Sequence, residues 1–201
     1  MLKPRSFVWL RRILQILPVP FFWLNGFEAT YLWISLLSYI LLARVGVDMG
    51  FHRYFSHGAF ICNKALRRMF LILGSLALRG SVVSWVVAHR QHHLYPDSEK
   101  DPVPGFHHKR WFADPTRLSS EMSLGPSRTL LKDPWVFFIH RHYFWLALIF
   151  PLALGAINFK LLIYGYSIPL IYLSFSLFLS TVVCHKWGYR NFDTPDLSTN
   201  N

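Results

Sequence analysis

Trp85-Val-Val-Ala-His89-Arg-Gln-His92-His93 ends an apolar run with three histidines in five residues. His89, His92 and His93 stand at i, i+3 and i+4, so a helix places all three rings on one face. Neutral imidazoles converging on one point are what a transition metal requires. Upstream, His52-Arg-Tyr-Phe-Ser-His57 gives a second pair, also abutting an apolar helix. Its i, i+5 spacing puts the two rings about 140° apart on a straight α-helix. A helix end between them, or two different metals, would reconcile that angle with a shared site.

Working outward, the 201 residues are 53% hydrophobic and 15% charged, and the charge is segregated from long apolar runs. That pattern predicts an all-α integral membrane protein, a single domain over 1–201. The net charge of +11 raises nucleic acid as a partner. The cations flank apolar runs instead of forming one stripe, which favours topology signals and anionic headgroups and argues against nucleic acid. Cys62 and Cys184 make no C-x-x-C pair, so no disulfide framework or zinc ribbon is expected. No cleavable signal peptide is apparent.

Ile13–Leu24 is apolar but short and contains Pro18 and Pro20; it reads equally as a shortened span or an interfacial segment. Ala29–Val47 is a span that delivers Asp48 and His52, with Arg44 free to snorkel. Met69–Ala88 is long enough to cross, yet it joins two histidine motifs that belong on one side. It is therefore expected to lie at the interface or dip partly into the bilayer. Tyr143–Phe159 and Leu161–Cys184 read as a transmembrane hairpin turning at Asn158-Phe159-Lys160, with His142 and His185 brought to one surface. Eight Lys or Arg residues between His89 and Arg141, against one at the turn, put the histidine surface in the cytoplasm. Five histidines in two motifs exceed the ligand count of a zinc site and suit two metals, for which imidazole is compatible with iron.

At this point the chain resembles the membrane fatty acid desaturases, of the acyl-CoA or acyl-lipid Δ9 type. His52–His57 matches their H-x-x-x-x-H box, and His89–His93 their H-x-x-H-H box. Asp97-Ser-Glu-Lys-Asp101-Pro102, Trp187-Gly-Tyr-Arg190 and Ser198-Thr-Asn-Asn201 resemble further family segments. The resemblance runs from about residue 28 to 201. It implies about four spans under a cytoplasmic histidine-rich cap, in a bacterial inner membrane or endoplasmic reticulum. It implies two iron ions held by His52, His57, His89, His92, His93 and His185, with O2 as co-substrate. It also implies an acyl-CoA or acyl-lipid substrate, a tunnel lined by Trp85 and by the residue at position 79, and an external donor, ferredoxin or cytochrome b5. Desaturation is the expected activity; a non-catalytic protein of the same fold, or a lipid hydroxylase, is the alternative.

Four departures from the family pattern stand out. A third H-x-x-H-H box, expected after Ser198–Asn201, is not in the sequence, which reads as a truncated chain. Thr181 replaces an asparagine, Arg79 a glutamine and Val103 a histidine. His107, His108, His140 and His142 are expected to be ordinary interfacial histidines and not substitutes for the third box.

Overall fold

The structure, a computed structural model, describes residues 5–98, 100–102, 127–193 and 197–200. His107, His108 and Val103 lie outside the described residues. Among the described residues the protein is helical, with a lone antiparallel bridge between Tyr189 and Asn200.

Three helices are long and apolar enough to cross a membrane: α3 (Ala29–Ser56), α6 (Pro134–Ile157) and α7 (Phe159–His185). Before them come α1 (Arg5–Ile16) and α2 (Pro18–Asn25). Pro18 takes the first turn of α2, where a missing N–H costs nothing. Backbone bonds from Leu17 to Ile13 and from Phe21 to Leu17 carry the helix through the junction. The two pieces together reach roughly 30 Å, enough for a fourth crossing that Ile13–Leu24 alone is too short to make.

Between the spans, α4 (Lys64–Leu76) and α5 (Val82–Leu94) form a hairpin whose open end carries the second histidine motif. Asn63 caps α4 by accepting from the N–H of Leu66, and Ser81 caps α5 by accepting from that of Ser84. The turn uses left-handed backbone at Leu78 and Gly80. The segment is thus two short helices joined by a turn, not one continuous helix. It packs hard on α3, because glycines face one another there. A Cβ on Gly46 would lie 2.6 Å from the backbone of Gly74 and Leu73.

The start of α6 differs from expectation. The helix begins at Pro134, nine residues before the uncharged run, capped by the Asp133 carboxylate on the N–H groups of Trp135 and Val136. His140 and His142 therefore lie inside the helix. His140 Nδ1 meets the Ser81 hydroxyl at 2.6 Å, at the hairpin turn, and the His142 ring packs on Phe138. Far from the histidine motifs, Phe21, Phe22, Phe27 and Tyr31 gather around Tyr164, and Lys160 pairs with Glu28. Val82, Val83, Val86, Leu170 and Tyr166 are fully buried, which puts the apolar core directly beneath the histidines.

Candidate metal centre

His52 and His57 share a site without needing two metals, because the helix changes its winding and then ends between them: it stops at Ser56, and His57 is the residue that caps it. From Ile40 to Ser56 the backbone winds as a π-helix, and the N–H of His57 donates to the carbonyl of His52 at 3.1 Å. In i→i+5 winding, residues five apart fall nearly in line. The two ring centroids are 4.8 Å apart. The 140° angle was a property of the α-helix, and this segment is not one.

Arg90 aligns the two motifs. Its Nε donates to the carbonyl of Ser56 at 3.0 Å and its Nη2 to that of Phe55 at 3.4 Å, satisfying carbonyls at the end of α3. This docks the end of α5 on the end of α3. One ligand nitrogen from each of His52, His57, His89 and His93 then lies within 4.8 Å of the others. His89 is central: its Nε2 is 2.8 Å from Nε2 of His57 and 3.0 Å from Nε2 of His93. Asp48, one turn before His52, faces its Nδ1 across a long 3.5 Å contact and also pairs with Arg53.

His92 turns to the other side. Its Nδ1 lies 2.9 and 2.8 Å from the two oxygens of Asp101, which is buried. His185 does the same with Asp97, at 3.0 Å. The carboxylates are linked, since the N–H of Asp97 donates to Asp101 at 2.9 Å. Asp97 adopts a left-handed backbone to do so. Its second oxygen accepts from the N–H of Leu197. The rings of His92 and His185 are 6.4 Å apart, and His92 is 6.4 Å from His89. The six histidines thus divide into a group of four and an adjoining pair.

The electrostatics suit a cation. Burial pushes the pKa of His89 down to about 3, helped by the neighbouring histidines His52 and His93. His57 and His93 are lowered for the same leading reason. Those rings are held neutral, the form that ligates metal. His92 is raised instead, chiefly by its hydrogen bond to Asp101. A carboxylate on Nδ1 of an imidazole fixes the tautomer that presents Nε2, a common arrangement behind metal-ligating histidines. Four imidazole nitrogens at mutual contact distance fit a transition metal far better than they fit one another as hydrogen-bond partners.

Trp85 lies one turn before His89, nearly parallel to its ring at 6.2 Å. It packs against both halves of the apolar core, and its buried indole N–H meets no acceptor among the described residues. Arg79 is at the α4–α5 turn, at the opposite end of the hairpin from the histidines, and donates to the Ser174 hydroxyl at 2.7 Å. Thr181 is turned back onto its own helix and donates to the carbonyl of Leu177. The two C-terminal motifs pair: Tyr189 and Asn200 exchange backbone bonds, and Thr199 donates to the carbonyl of Cys184 beside His185. Asp48, Asp97 and Asp101 are the residues whose roles only the structure reveals. The one sequence signal for Asp48 is its position one turn before His52.

These features define a helical membrane protein with a cluster of histidines, able to hold a metal ion, above an apolar core. No family model matches the chain. Among curated proteins, it is 32% identical to the chloroplastic palmitoyl-monogalactosyldiacylglycerol delta-7 desaturase of Arabidopsis thaliana, over 81% of this chain and 46% of that protein. It is 32% identical to the icosanoyl-CoA 5-desaturase of Limnanthes douglasii, over 96% of this chain and 55% of that protein. It is 26% identical to the sn-1 stearoyl-lipid 9-desaturase of Anabaena variabilis, over 88% and 66%. Over most of its length the chain is thus similar to fatty acyl desaturases. It spans about half the length of the first two of these relatives.

Proposed function

We propose that the chain supports O2-dependent desaturation of a saturated fatty acyl chain at a pair of iron ions. The observation that carries this reading is the division of six histidines into a converging four and an aspartate-backed pair, directly above an apolar core. His52, His57, His89 and His93 would hold one iron. His92 and His185 would contribute to the second, with further donors. When bound, the irons would supply the redox chemistry by which O2, two electrons and two protons, together with two hydrogens from adjacent acyl carbons, become two waters and a cis double bond.

The chain's own residues position and shield. Asp101 and Asp97 keep the Nδ1 protons of His92 and His185 and so present Nε2 of each. Burial keeps His89 unprotonated. Arg90 fixes the distance between the two histidine motifs. Trp85 is a flat wall between the rings and the core, suited to guiding an alkyl chain and excluding water. The substrate is an acyl-CoA or an acyl lipid, as in the relatives' names. The electrons come from an external ferredoxin or cytochrome b5. The histidine face is cytoplasmic, which agrees with the excess of Lys and Arg there.

Iron per chain and product mass test the reading together, with the protein in membranes supplied with an acyl substrate and a reductant. Two irons and loss of two hydrogens support it. Gain of one oxygen would mean hydroxylation. A second reading, a non-catalytic protein holding one metal, is favoured by the pair having two imidazoles among the described residues. One metal or none without turnover would select it.

A further inference from the structure

Two half-buried arginines lie against the bundle with no carboxylate beside them among the described residues. Arg11 lies on α1, and its Nη1 donates to the carbonyl of Leu78 at 3.1 Å. Arg79 follows Leu78 at the α4–α5 turn, and its Nη2 donates to the Ser174 hydroxyl. Gln15, one turn after Arg11 on the same face, donates to that hydroxyl and to the carbonyl of Leu170 at 2.9 Å. The two cations are therefore parts of one polar cluster, bounded by α1, the hairpin turn and α7. The Nε of each is cut off from solvent without a hydrogen-bond partner. Among the described residues no acidic side chain pairs with either; the carboxylates of Glu28, Asp48, Asp97, Asp101 and Asp133 are all engaged elsewhere.

Two cations side by side, each half-buried and with its Nε shut off from solvent, repel one another and favour an anion between them. Leu14, Leu78, Leu170 and Leu173 are buried in the core that adjoins the cluster. A guanidinium offers its Nε and Nη hydrogens as a fork that matches an oxoanion. Val82 to His89 is seven helical steps, which puts the cluster roughly 10 Å or more below the histidines. The polar cluster is distinct from the histidine cluster, although both border the same apolar core.

We propose that Arg11 and Arg79 bind the oxoanion head of a single-chain amphiphile, carboxylate or phosphate, whose alkyl chain lies in the apolar core. This does not depend on iron or on turnover, so failure of desaturation leaves it standing. The test is a binding titration of the purified chain in nanodiscs, read by bound mass and thermal shift. The probes are palmitate, methyl palmitate, lysophosphatidate and inorganic phosphate. The expected result is that palmitate or lysophosphatidate binds roughly tenfold or more tightly than the uncharged ester. The better of the two identifies the head as carboxylate or phosphate. The double variant Arg11→Gln/Arg79→Gln should lose that preference, while Arg44→Gln, on an exposed face of α3, should keep it. Equal binding of acid and ester by the unaltered chain would overturn the proposal, even if the double variant does not fold. So would a full response to inorganic phosphate alone, or a double variant that still prefers the anion.

Discussion

The N–H of His57 donates to the carbonyl of His52, and this i→i+5 bond is what lets two histidines five apart serve one site. An added residue between them must break the register. Inserting an alanine after Tyr54 lengthens the spacing to six, which neither α nor π winding keeps on one face, and displaces one ring from the cluster. The expected outcome is loss of bound metal from the four-histidine group with the helical content retained. Metal analysis beside far-ultraviolet circular dichroism measures both.

The α3–α4 contact that carries this segment has no room for a methyl group. Gly46→Ala sets a Cβ against the backbone of Gly74, which cannot rotate away as a side chain could. Overpacking of this kind costs about 1–3 kcal/mol, and more where the backbone itself must move. A lower unfolding temperature is expected. Gly26→Ala is a contrasting control: open space surrounds its Cβ, and only the strain of a positive φ is added.

Protonation should act on the metal-free chain in two opposite ways. His89 has a folded pKa of about 3, below the ordinary 6.5, so the unfolded state binds its proton first. Its contribution is complete above pH 6.5 and is lost as pH falls from there toward 3. His92 is raised, so its contribution is complete below 6.5 and is lost as pH rises through its folded value. Unfolding temperature against pH for the chain and for His89→Ala isolates the first effect. The variant should lose less stability between pH 6.5 and 4 than the unaltered chain. An equal loss would mean that His89 is not held neutral in the folded state.

The histidines were legible in the sequence because ligands of one group sit within a turn or two of each other, and helical spacing alone puts them on a face. The membrane class was legible from segregated charge. The turn of α3 into a π-helix was not, because apolar periodicity averages over a span and does not resolve one extra residue per turn. The start of α6 was obscured by His140, Arg141 and His142 in an otherwise apolar helix, although Asp133-Pro134 is a strong N-terminal signal. The pairing of Asp97 with His185 spans 88 residues, and no local rule reaches that far. Arg79 could be placed at a tunnel position only through the family resemblance; its neighbour Arg11 lies before the matched segment, so the pair became visible only in three dimensions.

Arg90 provides a test of alignment without touching a ligand nitrogen. Arg90→Ala removes charged hydrogen bonds to Ser56 and Phe55, a loss of about 1.5–3 kcal/mol per bond at most. Metal affinity of the four-histidine group should fall along with stability. Arg90→Lys keeps the charge but lacks the planar fork, so partial recovery of stability is expected with incomplete recovery of metal binding.

The two carboxylates behind His92 and His185 allow the adjoining pair to be addressed by itself. Asp101→Asn preserves size and one hydrogen-bonding oxygen but removes the charge that raises His92. Asp97→Asn removes the carboxylate charge behind His185 and also alters the bond to the N–H of Leu197. Loss of such a partner lowers metal affinity by about 10–100-fold. The effect should be confined to the metal at His92 and His185, because Asp97 and Asp101 make no hydrogen bond to His52, His57, His89 or His93 among the contacts described. Titration of each variant with ferrous iron, followed by competition with a chelator, should give one site of unchanged affinity and one weakened site. Equal weakening of both would show that the six histidines act as a single cluster and not as a four and a pair. The asparagine variants also separate tautomer control from packing. If Asp101→Asn still fixes the His92 ring but weakens metal binding, the charge on the carboxylate, and not its shape, is what makes the imidazole a strong ligand.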